Sequence, residues 1–409
     1  MNKNFDHIPL RINFIQEILN GNQLAPLIDI NVTDTEAFIN TKNKKNTYDV
    51  LNKELLDFNK VINQIGGKLV YIKSGTTGHT FKGFDPNNKE APNYAVKVVA
   101  YPKRENYGNY DDIKRPENAE LMMLKVLSYF VVNRQTPHIV LPIGTFNTSI
   151  RPFIGLAKEG IVDNKKYKLF IKKYKKKELY DEVSVLISEW ANGGDLLEYI
   201  REKGNKINLI TWKVLFFQII SALVVIQTKY PSFRHNDLKA NNVLLHYIGN
   251  SQKNNLFKYK INDKIYVIPN IGFQIKLWDF DFASIENVVN NSKVNADWTD
   301  KINVNSKRNQ YYDVHYFLNT LTRKGFYPQF WEGNNVPKSV KDFVKRIIPD
   351  KYRSGKNVAK RGRLLVNDEY ITPDDILKYD PFFAKFRPKK KKNTTTIPLI
   401  DKLSIVNNI

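Results

Sequence analysis

The thirteen residues from Phe233 to Leu245, F-R-H-N-D-L-K-A-N-N-V-L-L, gather the side chains best able to do chemistry. An apolar run precedes them and a short Val-Leu-Leu strand follows. His235, Asp237, Lys239 and Asn242 therefore fall on a tight loop between buried elements and aim the same way. An imidazole, a carboxylate, an ammonium and an amide presented together from a rigid scaffold make a catalytic candidate. A second group lies upstream in Y-A-V-K-V-V-A, where Lys97 is flanked by Ala95, Val96, Val98 and Val99 and must reach a cleft or meet an anion. Before it, K-L-V-Y-I-K-S-G-T-T-G-H-T-F-K-G-F reads as strand, turn, strand, with Gly75 and Gly78 at the turn. Without a Cβ, backbone N–H groups at such a turn can approach phosphate oxygens. A plain hairpin accounts for the same two glycines.

Composition sets the bounds. With 409 residues, 42% of them hydrophobic and 12% aromatic, the chain can build two sizeable cores. The formal charge of +23 favours polyanionic partners, nucleic acid among them. Lys and Asn are frequent everywhere, however, as an A/T-rich genome would produce, and that compositional reading is preferred to a dedicated nucleic-acid surface. The absence of cysteine excludes a disulfide scaffold, a thiol nucleophile and a Cys-based zinc site. The start, M-N-K-N-F-D-H-I-P-L, has no apolar signal core, which points to a cytoplasmic protein. Leu209 to Ile226 is apolar enough to raise a membrane span, but Lys213, Gln218 and Ser221 interrupt it, so a buried helix is expected and no transmembrane segment.

The elements that must position these groups follow in order. Residues 1–63 carry helical patterns around Leu10–Leu19 and Tyr48–Ile62 and read as a packing or docking extension. A helix starts at Pro116, a residue suited to a first helical turn, and its spacing leaves Glu120 at the edge of the inward face. Residues 165–180, lysines mixed with Tyr and Phe, read as a solvated hairpin, with contact to an acidic partner as the minority alternative. A buried strand, Val183–Ile187, leads through Ser188-Glu189-Trp190-Ala191 and Gly193-Gly194 into a helix that Asp195 can cap. Residues 246–272 form an insertion with a strand-like K-I-Y-V-I-P in it, and the apolar strand Q-I-K-L-W ends at Asp279. Ser284–Lys307 is polar and irregular, Asp313 opens a helix, and Thr372-Pro373 caps and starts another. Beyond Phe386 a block of lysines reads as a disordered basic tail, 387–409.

Taken in this order, the segments resemble the protein-kinase superfamily. The loop is similar to H-R-D-L-x-x-x-N, whose Asp accepts the substrate hydroxyl proton and whose Asn holds a metal ion; Asp237 and Asn242 match them. Lys97 matches the lysine of V-A-I-K, Glu120 the glutamate of the αC helix that pairs with it, and Asp279 the metal-binding Asp of D-F-G. Ser188 to Asp195 resembles the hinge. By that likeness Ser188 is a small gatekeeper, Glu189 and Ala191 offer their backbone to adenine, and Asp195 faces the ribose. Asp313 resembles the buried Asp that supports the catalytic loop from beneath. The sequence departs from the pattern at Lys73 and Thr80 in the glycine turn, at Asp281 in place of the D-F-G glycine, at Asn236 in place of Arg, and in lacking A-P-E. Without that glycine, left-handed backbone is harder to adopt, and a stiffer but working metal loop is expected.

The resemblance implies an α+β, bilobal protein-kinase-like fold: a small β-rich N-lobe (64–188) and a larger helical C-lobe (189–386). It further implies a serine/threonine kinase that uses ATP and Mg²⁺, with Asn242 and Asp279 on the metal and Lys239 beside the transferring phosphate. The divergent kinases of large DNA viruses, the poxvirus virion type among them, are the subfamily it looks most like. Its partners are then protein substrates, acidic or virion proteins included, in the host cytoplasm or the virion; nucleic-acid contact through the basic surface is not required. Two rivals stand beside it. Choline- and aminoglycoside-type kinases also use H-N-D, though they usually lack the equivalent of Lys239. A pseudokinase scaffold would explain Lys73, Thr80 and Asp281, but not the retention of Lys97, Asp237, Asn242 and Asp279.

Overall fold

The computed structural model describes residues 7–28, 30, 47–75, 78–88, 91–156, 165–248, 256–294, 296–388 and 403–405. Helices α1 (Ile8–Leu19), α2 (Thr47–Leu51) and α3 (Phe58–Ile65) precede an antiparallel sheet of β1 (Lys68–Ser74), β2 (Gly78–Phe84), β3 (Tyr94–Pro102), β4 (Pro142–Ser149) and β5 (Leu179–Glu189). The strand order is β1-β2-β3-β5-β4. Helix α4 (Pro116–Val132) joins β3 to β4 and helix α5 (Lys165–Lys175) lies between β4 and β5. Past the hinge come α6 (Leu196–Lys203), α7 (Leu209–Lys229), the pair β6 (Val243–Tyr247) and β9 (Phe273–Leu277), and helices α8 (Tyr311–Leu321), α9 (Lys338–Ile347) and α10 (Pro373–Tyr379). The fold is the bilobal, kinase-like one, with its strands concentrated in the first lobe and its long helices in the second.

Three segments differ from their sequence reading. Residues 165–175 are helical rather than one arm of a hairpin. Tyr167, Phe170, Ile171 and Tyr174 recur at helical spacing, and the rings of Tyr167 and Phe170 pack on His79 at 5.5 and 4.6 Å. The helix expected over Tyr48–Ile62 is broken. Asn147 N–H on β4 donates to the Glu54 carbonyl (2.7 Å), Leu56 N–H donates to the Asn147 carbonyl (2.9 Å), and Asp57 then caps α3. The lysine-rich tail includes a strand, β10 (Leu403–Ile405), parallel to β7 (Leu256–Ile261).

The extension at 1–63 seals the edge of the sheet. Leu27 N–H donates to the Ile143 carbonyl of β4 (3.2 Å), which satisfies backbone that an edge strand would leave open. Lys53 inserts its ammonium between Tyr101 Oη (2.6 Å), Asn118 Oδ1 (2.9 Å) and Ser184 Oγ (2.7 Å). Burial pushes its pKa well below the usual lysine value.

The insertion is likewise integral. β7 and β8 (Lys264–Pro269) form a hairpin whose Tyr259 and Tyr266 rings lie 5.2 and 5.3 Å from Phe217 of α7. Helix α7 has the length and apolarity of a membrane span, yet every residue from Val214 to Gln227 is buried inside the protein.

Two buried imidazoles join segments far apart in the chain, one across the lobes and one within the C-lobe. His138 is stacked on Tyr259, with Nδ1 3.0 Å from the Ile275 carbonyl and Nε2 2.9 Å from Tyr259 Oη. His315 Nε2 lies 2.6 Å from the Tyr352 carbonyl. Burial pushes each of them down to about 3. In the unfolded chain they titrate near 6.5. Below that pH the unfolded state binds protons that the folded state refuses, so stability is full above pH 6.5 and is lost as the pH falls. By pH 5 the loss is on the order of 1–2 kcal/mol per histidine. Urea melts at neutral pH and at pH 5 should show the midpoint falling; an unchanged midpoint would remove these residues as the cause.

Candidate active site

Strand β3 sets Lys97 between Thr80 of β2 and Leu186 of β5, facing the space between the lobes. From α4, Glu120 reaches it with both carboxylate oxygens, accepting from Lys97 Nζ at 2.7 and 2.9 Å. Asp279 Oδ1 lies 3.4 Å from the same nitrogen, and the Trp278 ring centroid 5.3 Å. Burial alone would lower the Lys97 pKa, but Glu120 and Asp279 outweigh it and raise it, so the ammonium stays charged. Burial pushes Glu120 up to about 6, against the pull of Lys97 and with help from the carboxylates of Asp279 and Asp281. Asp279 is held below the usual value: burial opposes this, but Lys97, His235 and Lys239 prevail.

The catalytic loop hangs from α8. Asp313 accepts from His235 N–H (2.7 Å) and Asn236 N–H (2.9 Å), which fixes the loop from below as expected. His235 has a structural part: its ring lies 5.0 Å from Phe280 and its Nε2 3.1 Å from the Trp278 carbonyl, joining the loop to the strand that ends at Asp279. Because β6 and β9 pair Val243 with Leu277, Asn242 and Asp279 come out side by side. Asn242 Nδ2 donates to Asp237 O (3.0 Å) and Oδ2 (3.1 Å), and Lys239 Nζ donates to Asp237 Oδ2 (2.7 Å). Asn242 thus keeps its amide oxygen for a cation; its contact is a 3.5 Å approach by Asn241 Nδ2. A carboxylate and an amide oxygen are hard donors of the kind Mg²⁺ takes. Among the described residues no three His, Cys, Asp or Glu gather as a metal cage.

The nucleotide-facing residues are placed less simply. Gly75 N–H donates to the Gly78 carbonyl (2.7 Å), closing a turn whose tip, residues 76 and 77, lies outside the described residues. A Cβ on Gly78 would stand 2.3 Å from the Val98 carbonyl, so this glycine is required by its approach to β3; a Cβ on Gly75 meets nothing closer than 3.6 Å. Asp195 caps α6, with Oδ1 accepting from Glu198 N–H at 2.9 Å. At the hinge, Gly193 N–H donates to the Leu245 carbonyl (2.8 Å), and Leu245 N–H donates to the carbonyl of Gly194, whose φ is +72°. The hinge is therefore stitched to the strand that follows the catalytic loop. Ser188 is buried at the gatekeeper position and Ala191 is buried two residues past Glu189. The Glu189 side chain is bound by Arg11 of α1, whose Nε and Nη2 donate at 2.8 and 2.5 Å. Burial would raise Glu189, but Arg11 and Lys276 hold it down at about 2.

Left-handed backbone in the metal loop falls on Asp279 (φ 65°) and not on Asp281. The D-F-G glycine is therefore not missed at 281 for conformational reasons, contrary to the expectation of a loop stiffened there. Asp281 is instead ion-paired with Lys293. The sequence reading also missed two arginines. Arg234 lies under the Tyr312 ring (3.8 Å) and donates to Asn305 Oδ1 (2.7 Å) and the Asn303 carbonyl (2.5 Å), so neutral acceptors at the end of the 284–307 segment occupy a buried cation. Arg363, far downstream, donates to Asp237 Oδ1 itself. The neighbourhood of Arg363, R-G-R-L-L, has no spacing that ties it to the loop.

A buried lysine clamped by a helix carboxylate, opposite a loop carrying an acid, an ammonium and an amide beside a second acid, defines a protein-kinase phosphotransfer site. A profile of the family described as poxvirus serine/threonine protein kinase matches residues 96–367, and the chain belongs to that family. It is 50% identical over 385 residues to a serine/threonine-protein kinase of Acanthamoeba polyphaga mimivirus, which covers 92% of this chain and 80% of the relative. A second serine/threonine-protein kinase of that virus is 26% identical over 263 residues, 55% of this chain and 63% of the relative. Serine/threonine-protein kinase 2 of swinepox virus is 30% identical over 158 residues, 38% of this chain and 31% of its own length. The chain is thus a serine/threonine-protein kinase.

Proposed function

We propose that this kinase transfers the γ-phosphate of Mg-ATP to serine or threonine hydroxyls of proteins, with the work divided among the residues described above. What carries the reading is the junction of Lys97 and Glu120 of the N-lobe with Asp279, which stands on the same side of the cleft as Asp237 and Asn242. Mg-ATP supplies the transferable phosphoryl group and, through the metal, neutralises phosphate charge. Lys97, kept in place by Glu120, offers its ammonium to the α- and β-phosphates; Asp279 and Asn242 offer oxygens to the metal. Asp237 orients the acceptor hydroxyl and takes its proton, and Lys239 meets the negative charge on the moving group. Such a site works by positioning and charge neutralisation. The hinge backbone at Glu189 and Ala191 would receive adenine, and Asp195 the ribose.

Activity should not depend on phosphorylation of the 284–307 segment. Asn236 stands where a loop-sensing arginine would be, and Arg234 already donates to Asn303 and Asn305 through both terminal nitrogens without a phosphate. The test uses radiolabelled ATP with phosphatase-treated enzyme and, side by side, acidic proteins, basic proteins, choline and aminoglycosides, followed by phosphoamino-acid analysis. Label should appear on protein serine or threonine. Label confined to the small molecules would overturn the substrate class, and an enzyme inert until another kinase has acted on it would overturn the loop reading. We place the protein in the host cytoplasm or the virion; its recovery from the secreted fraction of infected cells would contradict that.

A further inference from the structure

Asp237 is gripped from both sides. Lys239 and Asn242 occupy Oδ2, while Oδ1 accepts from the Arg363 guanidinium and lies 3.5 Å from Tyr316 Oη. Arg363 is itself rigidly held. Its Nη1 donates to the Asn236 carbonyl and to Tyr312 Oη (3.2 Å), and its Cζ lies 4.2 Å from the Tyr316 ring centroid. The turn that presents it is pinned as well: Gly362 N–H donates to the Ala359 carbonyl (2.8 Å) and Asn319 Nδ2 donates to the Gly362 carbonyl (3.0 Å). Gly362 has φ +90°, a conformation that costs a side-chain-bearing residue strain. Asn319, Tyr316, Tyr312 and Asp313 all come from α8, so one helix supports both the loop and the arginine that reaches it.

We propose that Arg363 is a positioning residue for phosphoryl transfer: its planar fork spans Asp237 Oδ1 and the Asn236 carbonyl and fixes the plane of the Asp237 carboxylate. A carboxylate oxygen has two acceptor directions. With Arg363 in one, the other carries the long 3.5 Å contact from Tyr316 Oη, which the acceptor hydroxyl displaces to meet Oδ1 in a set orientation. A lysine cannot reproduce this, because an ammonium has no planar fork to span two acceptors. The side chain is 12% exposed and its neighbours Lys360 and Arg361 are exposed, so it is built into the site rather than drawn from a basic surface.

This inference rests on Asp237 being the residue that orients the hydroxyl. Arg363→Met and Arg363→Lys are compared with the parent, with Asp237→Asn, with the Asp237→Asn/Arg363→Met double variant, and with Arg361→Met as a control on the same turn. The readouts are kcat and KM for ATP on a labelled protein acceptor, the affinity for ADP, and the melting temperature. Arg363→Met should lower kcat roughly 10–100-fold, the scale of an ångström-sized misplacement. KM for ATP and ADP affinity should stay put, and Arg363→Lys should recover part of the rate. The double variant should be no slower than Asp237→Asn alone, since the arginine acts only through that carboxylate. A rise in kcat would make Arg363 a plug over the acceptor site and overturn the proposal, as would parent-like kcat or an additive loss in the double variant. If Arg363→Met fails to fold, Arg363→Lys decides: full activity overturns the proposal and a kcat-specific deficit supports it. If Asp237→Asn retains the parent's rate, the site assignment itself has failed, which the same experiment reveals separately.

Discussion

Asp237→Asn should bind nucleotide like the parent and transfer almost no phosphate. Asp237 is the carboxylate we assign to take the proton, and both its oxygens are engaged, by Lys239 and Asn242 on one side and Arg363 on the other. An asparagine keeps the shape but has a single acceptor oxygen, so one of the two cations would face an amide N–H₂, and no proton can be accepted from the acceptor hydroxyl. General-base catalysis is worth roughly 10²–10⁴-fold, and the loss of kcat should fall in that range. Lys97, Asp279 and the hinge are untouched, so nucleotide affinity should be preserved. Single-turnover transfer of labelled phosphate, with a fluorescent-nucleotide titration beside it, separates the two effects. A variant that keeps most of the rate removes Asp237 from its role; one that loses nucleotide binding in parallel shows that the substitution disturbed the cleft instead.

What could be read from the sequence was what short-range pattern encodes. Lys97 stands out because an ammonium in an alternating apolar strand needs an anion; helical spacing put Glu120 only at the edge of the inward face, and its pairing with Lys97 came from the likeness to protein kinases. The metal roles given to Asp279 and Asn242 came from the likeness to protein kinases, and the pairing of β6 with β9 brings their two chain segments together. Contacts between residues far apart along the chain left no such trace. Arg11 meets Glu189, 178 residues away, and Arg363 meets Asp237, 126 residues away, only through the tertiary fold. Nothing in the sequence around Lys53 marks it, and its burial among Tyr101, Asn118 and Ser184 depends on a sheet edge that the extension itself covers. Over 165–175, the lysines concealed an aromatic stripe whose period alone would have argued for a helix. Gly78 was noticed for a phosphate and turned out to be required by the neighbouring strand's carbonyl.

Lys97→Met should be the other severe lesion, and its pH dependence should identify the mechanism. In the parent, the ammonium separates the carboxylates of Glu120 and Asp279. Removing it takes away the charge that meets the nucleotide's phosphates and leaves buried Glu120 facing the partly exposed Asp279, which favours a proton on Glu120. Loss of a preorganised electrostatic donor costs about 10²–10³-fold, and kcat/KM for ATP should fall by that much. Glu120 titrates near 6 in the folded protein, against 4.5 as an ordinary carboxyl. As the pH drops through 6 it protonates, releases Lys97, and the parent's rate should decline on the acid side. The sign for stability is opposite. Between 4.5 and 6 the folded state holds a proton that the unfolded chain has lost, so acidification through this window favours folding at Glu120 while activity falls. Glu120→Gln should therefore be slower than the parent at neutral pH and lack the acid limb, its rate flat from pH 7 down to where substrate or fold fails. An acid limb unchanged in Glu120→Gln would assign the titration to another group, and a Lys97→Met enzyme with parent-like kcat/KM would dissociate Lys97 from the phosphates altogether.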